Sequence, residues 1–201
     1  MHKPFSQACE NNKRPILEIL ARHLGDVRDV LEIGSGTGQH AVYFAGHLPR
    51  LTWRTSDQVA YHEGIRAWIE DSGLSNVLPP VTLDVTVEPW PVDSAEAVFS
   101  ANTAHIMSWP MVEAFIAGVG RILADSGLFL LYGPFSYRGI HTSDSNARFD
   151  RSLREQNPAM GVRDFEDVDA LAHAASLDLI EDNAMPANNR LLVWRRRPDQ
   201  A

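Results

Sequence analysis

The chain has 201 residues, 44% of them hydrophobic and 22% charged, the mix of one globular domain with a full core rather than a fibre, coiled coil or disordered tail. Its net charge of −8 argues against unassisted binding to a phosphate backbone, which requires a basic face. One cysteine, Cys9, excludes an internal disulfide framework and a cysteine-built zinc cluster. The N-terminal run MHKPFSQACENNKRP lacks the apolar core of a signal peptide, and no apolar run approaches a membrane span. A soluble cytoplasmic protein acting on something small is expected.

The first fourteen positions are polar, and Pro15 is read as opening a helix with Ile16, Leu17, Ile19, Leu20 and Leu24 apolar and Gly25 ending it. A short strand from Asp29 to Ile33 runs into the glycine cluster that starts at Gly34. Ala41, Val42, Phe44, Ala45 and Leu48 form a helical stripe that stops at Pro49. Next come an expected strand from Leu51 to Thr55, a helix from Tyr61 to Glu70, and strands around Val81–Leu83 and from Ala95 to Ser100. A helix from Pro110 to Leu123 is expected to end at the turn Asp125-Ser-Gly127, ahead of the wholly apolar strand Leu128–Tyr132. Residues 133–146 read as polar and irregular, and Asp164 as the N-cap of a helix reaching Ala175. Strands at Leu177–Glu181 and Leu191–Arg195 close the chain as an edge hairpin. This alternation predicts an α/β fold: a Rossmann-like, seven-stranded, mostly parallel sheet with an antiparallel edge strand and helices on both faces. One domain over residues 1–201 is expected to leave little room for a separate substrate domain, so specificity is assigned to an N-terminal lid segment (1–14) and an active-site loop (133–148).

Ligands of doubly wound sheets bind at the carboxyl ends of the strands. The first strand here ends Glu32-Ile-Gly34-Ser35-Gly36-Thr37-Gly38, and glycines let a backbone approach a ligand closely. The dinucleotide fingerprint G-x-G-x-x-G needs a third small residue where this chain has Gln39. The glycines instead fall two apart, with an acid two residues before the first. That pattern resembles motif I of the class I S-adenosylmethionine-dependent methyltransferases. The resemblance implies that Gly34, Ser35, Gly36, Thr37 and Gly38 wrap the methionine end of the cofactor. It also implies that Asp57, followed by Gln58, accepts both ribose hydroxyls, a task suited to the paired oxygens of a carboxylate. Asp84, beside Val85, matches the acid that accepts from the adenine amino group. Glu32 either orders the glycine loop through backbone hydrogen bonds or contacts the cofactor's amino group. Arg14 and Asn12 are placed to reach the cofactor carboxylate or a substrate, a solvated helix start being the alternative.

The fourth strand leads into Asn102-Thr-Ala-His105. By the same resemblance Asn102 stands where motif IV opens beside the sulfonium, touching cofactor and acceptor, although the aromatic N-P-P-Y form is absent. Methyl transfer is an in-line displacement accelerated by positioning and exclusion of water, and a general base is needed only when the nucleophile must lose a proton. His105 is the candidate base, because a neutral imidazole accepts a proton near pH 7; a backbone hydrogen bond near a helix start is its alternative role. His141, Asp144 and Arg148 fall in or beside the long loop, and Tyr132 and Tyr137 are candidates to line the same pocket. No Asp-Asp-Asn constellation stands at the spacing of metal-dependent catechol methyltransferases, so no metal is expected.

Nearly the whole chain also resembles one methyltransferase-like family, domain of unknown function 938. The matching segments are ACENNKRPILE from Ala8, LEIGSGTGQHAVYFA from Leu31, NTAHIMSWP from Asn102, YGPF from Tyr132, SNARFDRSLR from Ser145 and MPANNRLLVWRR from Met185. The resemblance implies S-adenosylmethionine as cofactor and S-adenosylhomocysteine as product, with NTAHI, TSDSNARFD and PANN around one pocket. The expected activity is methyl transfer to a small-molecule acceptor, of the kind met in secondary metabolism. Neither nucleic acid nor membrane is expected as a partner; a homodimer or a heteromeric partner stays open. Two alternatives keep the fold: cofactor or product binding with a cyclisation or elimination in place of methyl transfer, or a non-catalytic subunit supporting a partner.

Overall fold

The computed structural model describes residues 3–198, and its backbone divides into two compact units at Ser100. In the first unit, helix α1 (Gln7–His23) starts eight residues ahead of the expected Pro15, which lies inside it. Ser6 is its N-cap, its Oγ accepting from the Cys9 N–H at 3.4 Å. The polar first turns hold because their side chains are paired: Glu10 with Lys13 at 2.5 Å, and Asn12 with the His40 ring at 2.7 Å. Ile16 and Leu20 bury the apolar face. Most of the segment expected as a lid is therefore helix.

The chain continues through β1 (Asp29–Ile33), α2 (Gln39–His47), β2 (Thr52–Asp57), α3 (His62–Ser72), β3 (Val77–Thr82) and β4 (Ala95–Ala101). β1 pairs in parallel with β2 and with β4, and β2 with β3. Val30, Leu31 and Ile33 are all buried, as expected of a central parallel strand covered on both faces. The rings of Phe44, Trp53 and Phe99 pack against one another with centroids 5.5–5.9 Å apart. The outermost strand, β3, carries Pro79 and Pro80.

The second unit holds α4 (Trp109–Ile122), β5 (Leu123–Gly133), β6 (Phe135–Tyr137), β7 (Ile140–His141), α5 (Asp144–Gln156), β8 (Arg163–Asp164), α6 (Phe165–Ala174), β9 (Leu177–Met185) and β10 (Asn189–Arg196). β10 runs antiparallel to both β5 and β9. Asp164 caps α6 as expected, accepting from the Glu166 N–H. Two expectations are corrected. Asp125-Ser-Gly127 does not end a helix by a loop; it lies within β5, where Ser126 takes a left-handed φ of 63°. Residues 133–146 are not irregular: they form the β6–β7 hairpin and the first turn of α5, which is capped by Ser143. The hairpin turns on Arg138 and Gly139, both at positive φ, and its strands of three and two residues are too short to show a period. With β8 it makes a small sheet ordered β7-β6-β8.

The hydrogen-bonded order of the main sheet is β3-β2-β1-β4-β5-β10-β9. This is the expected α/β, Rossmann-like class, seven-stranded and mostly parallel with an antiparallel pair at one edge.

Candidate cofactor-binding and active site

β1 delivers the chain to Gly34, Gly36 and Gly38, all at positive φ (76°, 56° and 89°). The N–H groups of Gly34 and Ser35 both donate to the Ser56 carbonyl at 3.0 Å, and Gly36 donates to Asp57 Oδ2 at 2.7 Å. The end of β2 thus cradles the glycine loop. A side chain at Gly36 would meet nothing within 4 Å, whereas one at Gly38 would sit 3.0 Å from the Ile65 Cα of α3. Gly36 faces open space where a ligand can lie against bare backbone; Gly38 is needed for close packing.

Glu32 is 1% exposed. Its Oε2 accepts from Ser35 Oγ at 2.9 Å and from the Trp53 indole at 3.1 Å, and its main-chain carbonyl accepts from Ser56 Oγ at 2.7 Å. Burial pushes its carboxyl up to about 7. Glu32 therefore holds the loop through the Ser35 side chain rather than through loop backbone N–H groups, and ties it to Trp53 and Ser56 of β2. Asp57 is half-buried, which raises its pKa against the lowering pull of the Gly36 and Gln58 N–H groups. Gln58 is exposed and leads into a short 3-10 turn. Leu83 N–H donates to the Asp57 carbonyl at 3.2 Å, so the loop carrying Asp84 is tied to the end of β2. Asp84 is exposed; its Oδ1 accepts from Thr86 Oγ1 and N–H, which holds its pKa below the usual carboxylate range. Val85 is buried, its carbonyl accepting from the Trp90 indole.

The N-terminal segment meets this loop through a residue that sequence reasoning used only to reject a fingerprint. Gln39 Oε1 accepts from the Ser6 N–H at 2.5 Å and from Thr37 Oγ1 at 3.1 Å, and its Nε2 donates to Glu10 Oε1 at 3.1 Å. Pro4 lies over Gly64, and its carbonyl accepts from the Trp68 indole at 2.7 Å. Asn12 is buried on α1 and bonded to the His40 ring. Arg14 is exposed on α1 instead of standing before it.

In the second unit, Asn102 has a left-handed φ of 60° and donates its N–H to the Tyr132 carbonyl at 2.9 Å. Asparagine tolerates this backbone better than most residues. The chain then turns through Thr103–Met107 and carries His105, 7% exposed, whose ring meets Phe149 edge-on at 5.2 Å. Among the described residues that ring has no hydrogen-bond partner. Burial, reinforced by Arg163, pushes its pKa down to about 4, so it is neutral at pH 7. His141 sits on β7 with Nε2 3.7 Å from Asp150 Oδ2. Tyr132 is 2% exposed on β5 and belongs to the covered set, not to the open lining expected of it. Tyr137 donates to Asp182 at 2.7 Å and stacks on Phe165, a structural anchor. Asp144 opens α5 in its first turn.

Sequence order, glycine loop and sheet topology together define a Rossmann-like methyltransferase fold. Solved methyltransferases share it at low identity. An O-methyltransferase family protein from Burkholderia thailandensis superposes with a TM-score of 0.81 at 14% identity, over 94% of this chain and 57% of its own. The S-adenosylmethionine-dependent methyltransferase SibL gives 0.79 at 19% identity, over 94% and 55%. Human N-acetylserotonin methyltransferase gives 0.79 at 14% identity, over 95% and 53%. The chain thus spans little more than half the length of these proteins. It belongs to the family described as Protein of unknown function (DUF938), which matches residues 3–196.

Proposed function

We propose that the protein is an S-adenosylmethionine-dependent methyltransferase with a small-molecule acceptor, carried out by one domain. The observation that carries this reading is the Gly36–Asp57 bond: it fuses a bare glycine backbone facing open space to a strand-end carboxylate. Those features suit a ligand with a slim polar tail and a pair of hydroxyls. The cofactor supplies a methyl group already activated on a sulfonium. Backbone at Gly34–Gly38 binds its amino-acid end, with Glu32 holding the loop in shape. Asp57 accepts the ribose hydroxyls, Gln58 and Val85 flank the base, and Asp84 keeps Oδ2 for an adenine amino group. Asn102 orients the reacting centre, and His105, uncharged at neutral pH, takes the proton of a hydroxyl acceptor. His141 and Tyr132 are assigned to acceptor binding, which for the covered Tyr132 requires opening. Human N-acetylserotonin methyltransferase, of like fold, is known in complex with S-adenosylmethionine. The acidic charge suits a small acceptor better than nucleic acid, and among the described residues no helix is long and apolar enough to cross a membrane.

Calorimetry with S-adenosylmethionine and S-adenosylhomocysteine tests the cofactor site. Binding is expected for the native protein and is expected to be lost in Gly36→Val and Asp57→Ala. Incubation with methyl-labelled cofactor and fractionated small-molecule extract then separates the chemistries. Label on an acceptor supports methyl transfer; cofactor turnover without a labelled acceptor overturns it in favour of cyclisation or elimination.

A further inference from the structure

We infer that Arg163 is a positioning residue for the turn that carries His105. Its functional meaning rests on the methyl-transfer reading, but the geometry stands by itself. Arg163 lies on β8, is 8% exposed, and among the described residues has no carboxylate within ion-pair distance. Asp150 acts on it only from beyond contact, and burial together with Arg154 outweighs that pull; a buried guanidinium with no direct ion pair is costly unless its protons are taken up. Here the acceptors are main-chain carbonyls: Nε donates to Ala104 at 3.0 Å, and one terminal nitrogen donates to Met107 and, at 2.9 Å, to Ala159.

From the same segment the Gly161 N–H donates to the His105 carbonyl at 2.9 Å. The carbonyls of residues 104, 105 and 107 are therefore all held by residues 161–163. Among the described residues the His105 ring has no hydrogen-bond partner, so its direction follows from its backbone and from packing on Phe149. Arginine suits this role because its planar fork reaches several carbonyls at once, whereas an ammonium is a point charge on a flexible stem. β8 pairs in parallel with β6, Phe135 opposite Arg163. The small sheet is thereby fastened to the turn it serves.

The test uses the full chain with Arg163→Met and Arg163→Lys. Amide hydrogen exchange at Gly161 reads the turn, NMR titration of the His105 imidazole reads the ring, and calorimetry with S-adenosylhomocysteine reads the glycine-loop site. In Arg163→Met, Gly161 exchange is expected to rise about tenfold or more, and the His105 pKa to move up toward that of a free imidazole as burial and the nearby cation are lost. Arg163→Lys should bring the titration back toward the native position without restoring Gly161 protection. S-adenosylhomocysteine affinity should stay within about twofold of native. Unchanged Gly161 exchange and His105 titration in folded Arg163→Met would overturn the inference, as would full rescue of both by lysine. If Arg163→Met does not fold, native Gly161 protection in Arg163→Lys refutes it. Failure of the native protein to bind S-adenosylhomocysteine strikes the methyl-transfer reading instead, and leaves the exchange and titration results to decide the role of Arg163.

Discussion

Replacing Glu32 by glutamine removes a titrating proton from the core while keeping an oxygen for Ser35 and Trp53. Burial, as the first cause, pushes the carboxyl up to about 7 from its ordinary value of 4.5. A carboxyl with a raised folded pKa favours the native state below the unfolded value, and that contribution is lost as pH rises through the folded value. At about 1.4 kcal/mol per unit, the loss between pH 4.5 and pH 8 is about 3 kcal/mol, an order-of-magnitude figure. Glu32→Gln should escape it. His40 and His105, both pushed down to about 4 by burial, act in the opposite sense: their contribution is complete above the ordinary histidine value and fades as pH falls toward 4. The native protein alone would therefore blur the effect, and the difference between native and variant isolates it. Urea unfolding of the cofactor-free proteins at steps between pH 5 and 8.5 supplies the assay, with equal m-values required for the comparison. The variant should match the native protein near pH 5 and exceed it by a few kcal/mol above pH 8. Parallel stability curves over that range would refute the reasoning, because Glu32 would then titrate alike in the folded and unfolded chains.

Three further outcomes follow from the same geometry. Gly36→Ala should cost only about 1 kcal/mol of stability, from its left-handed backbone, while weakening S-adenosylhomocysteine binding sharply; Gly38→Ala should cost about 2–3 kcal/mol, because its Cβ would strike the α3 backbone. Thermal melts and calorimetry on the pair check both. Asn102→Ala should lose about 1 kcal/mol relative to Asn102→Gly, and equal melting temperatures would count against strain at that φ. With an acceptor in hand, turnover should stay level from pH 8 down to about 5 and fall near pH 4 as His105 becomes charged. A midpoint at the ordinary histidine value, or full turnover in His105→Gln, would remove it as the base.

The parts of the site that sequence made legible are those where backbone chemistry dictates residue type. A turn with three positive φ angles selects glycine at 34, 36 and 38, and carboxylates at strand ends stand out in an apolar run. Less legible was whatever depends on partners distant in the chain. The start of α1 was misplaced because its polar turns draw on Gln39 and His40, which no local pattern reports. Arg163 was invisible for a further reason: its partners are carbonyls, which every residue possesses, so no side-chain code marks them. The hairpin at 135–141 and the strand at 163–164 fell below the length at which alternation can be counted.

The prolines on β3 also bear on how the sheet meets other chains. Pro79 and Pro80 stand next to each other on an outermost strand, and because consecutive strand residues direct their N–H groups to opposite sides, one of the two removes a donor that an incoming strand would use. A second polypeptide laid along that border would meet one missing donor in the middle of the strand, where its ladder is interrupted. That margin of the first unit is thereby a poorer template than an unbroken strand. Some protection against strand-by-strand aggregation is thus written into a single ring closure and requires no added charge.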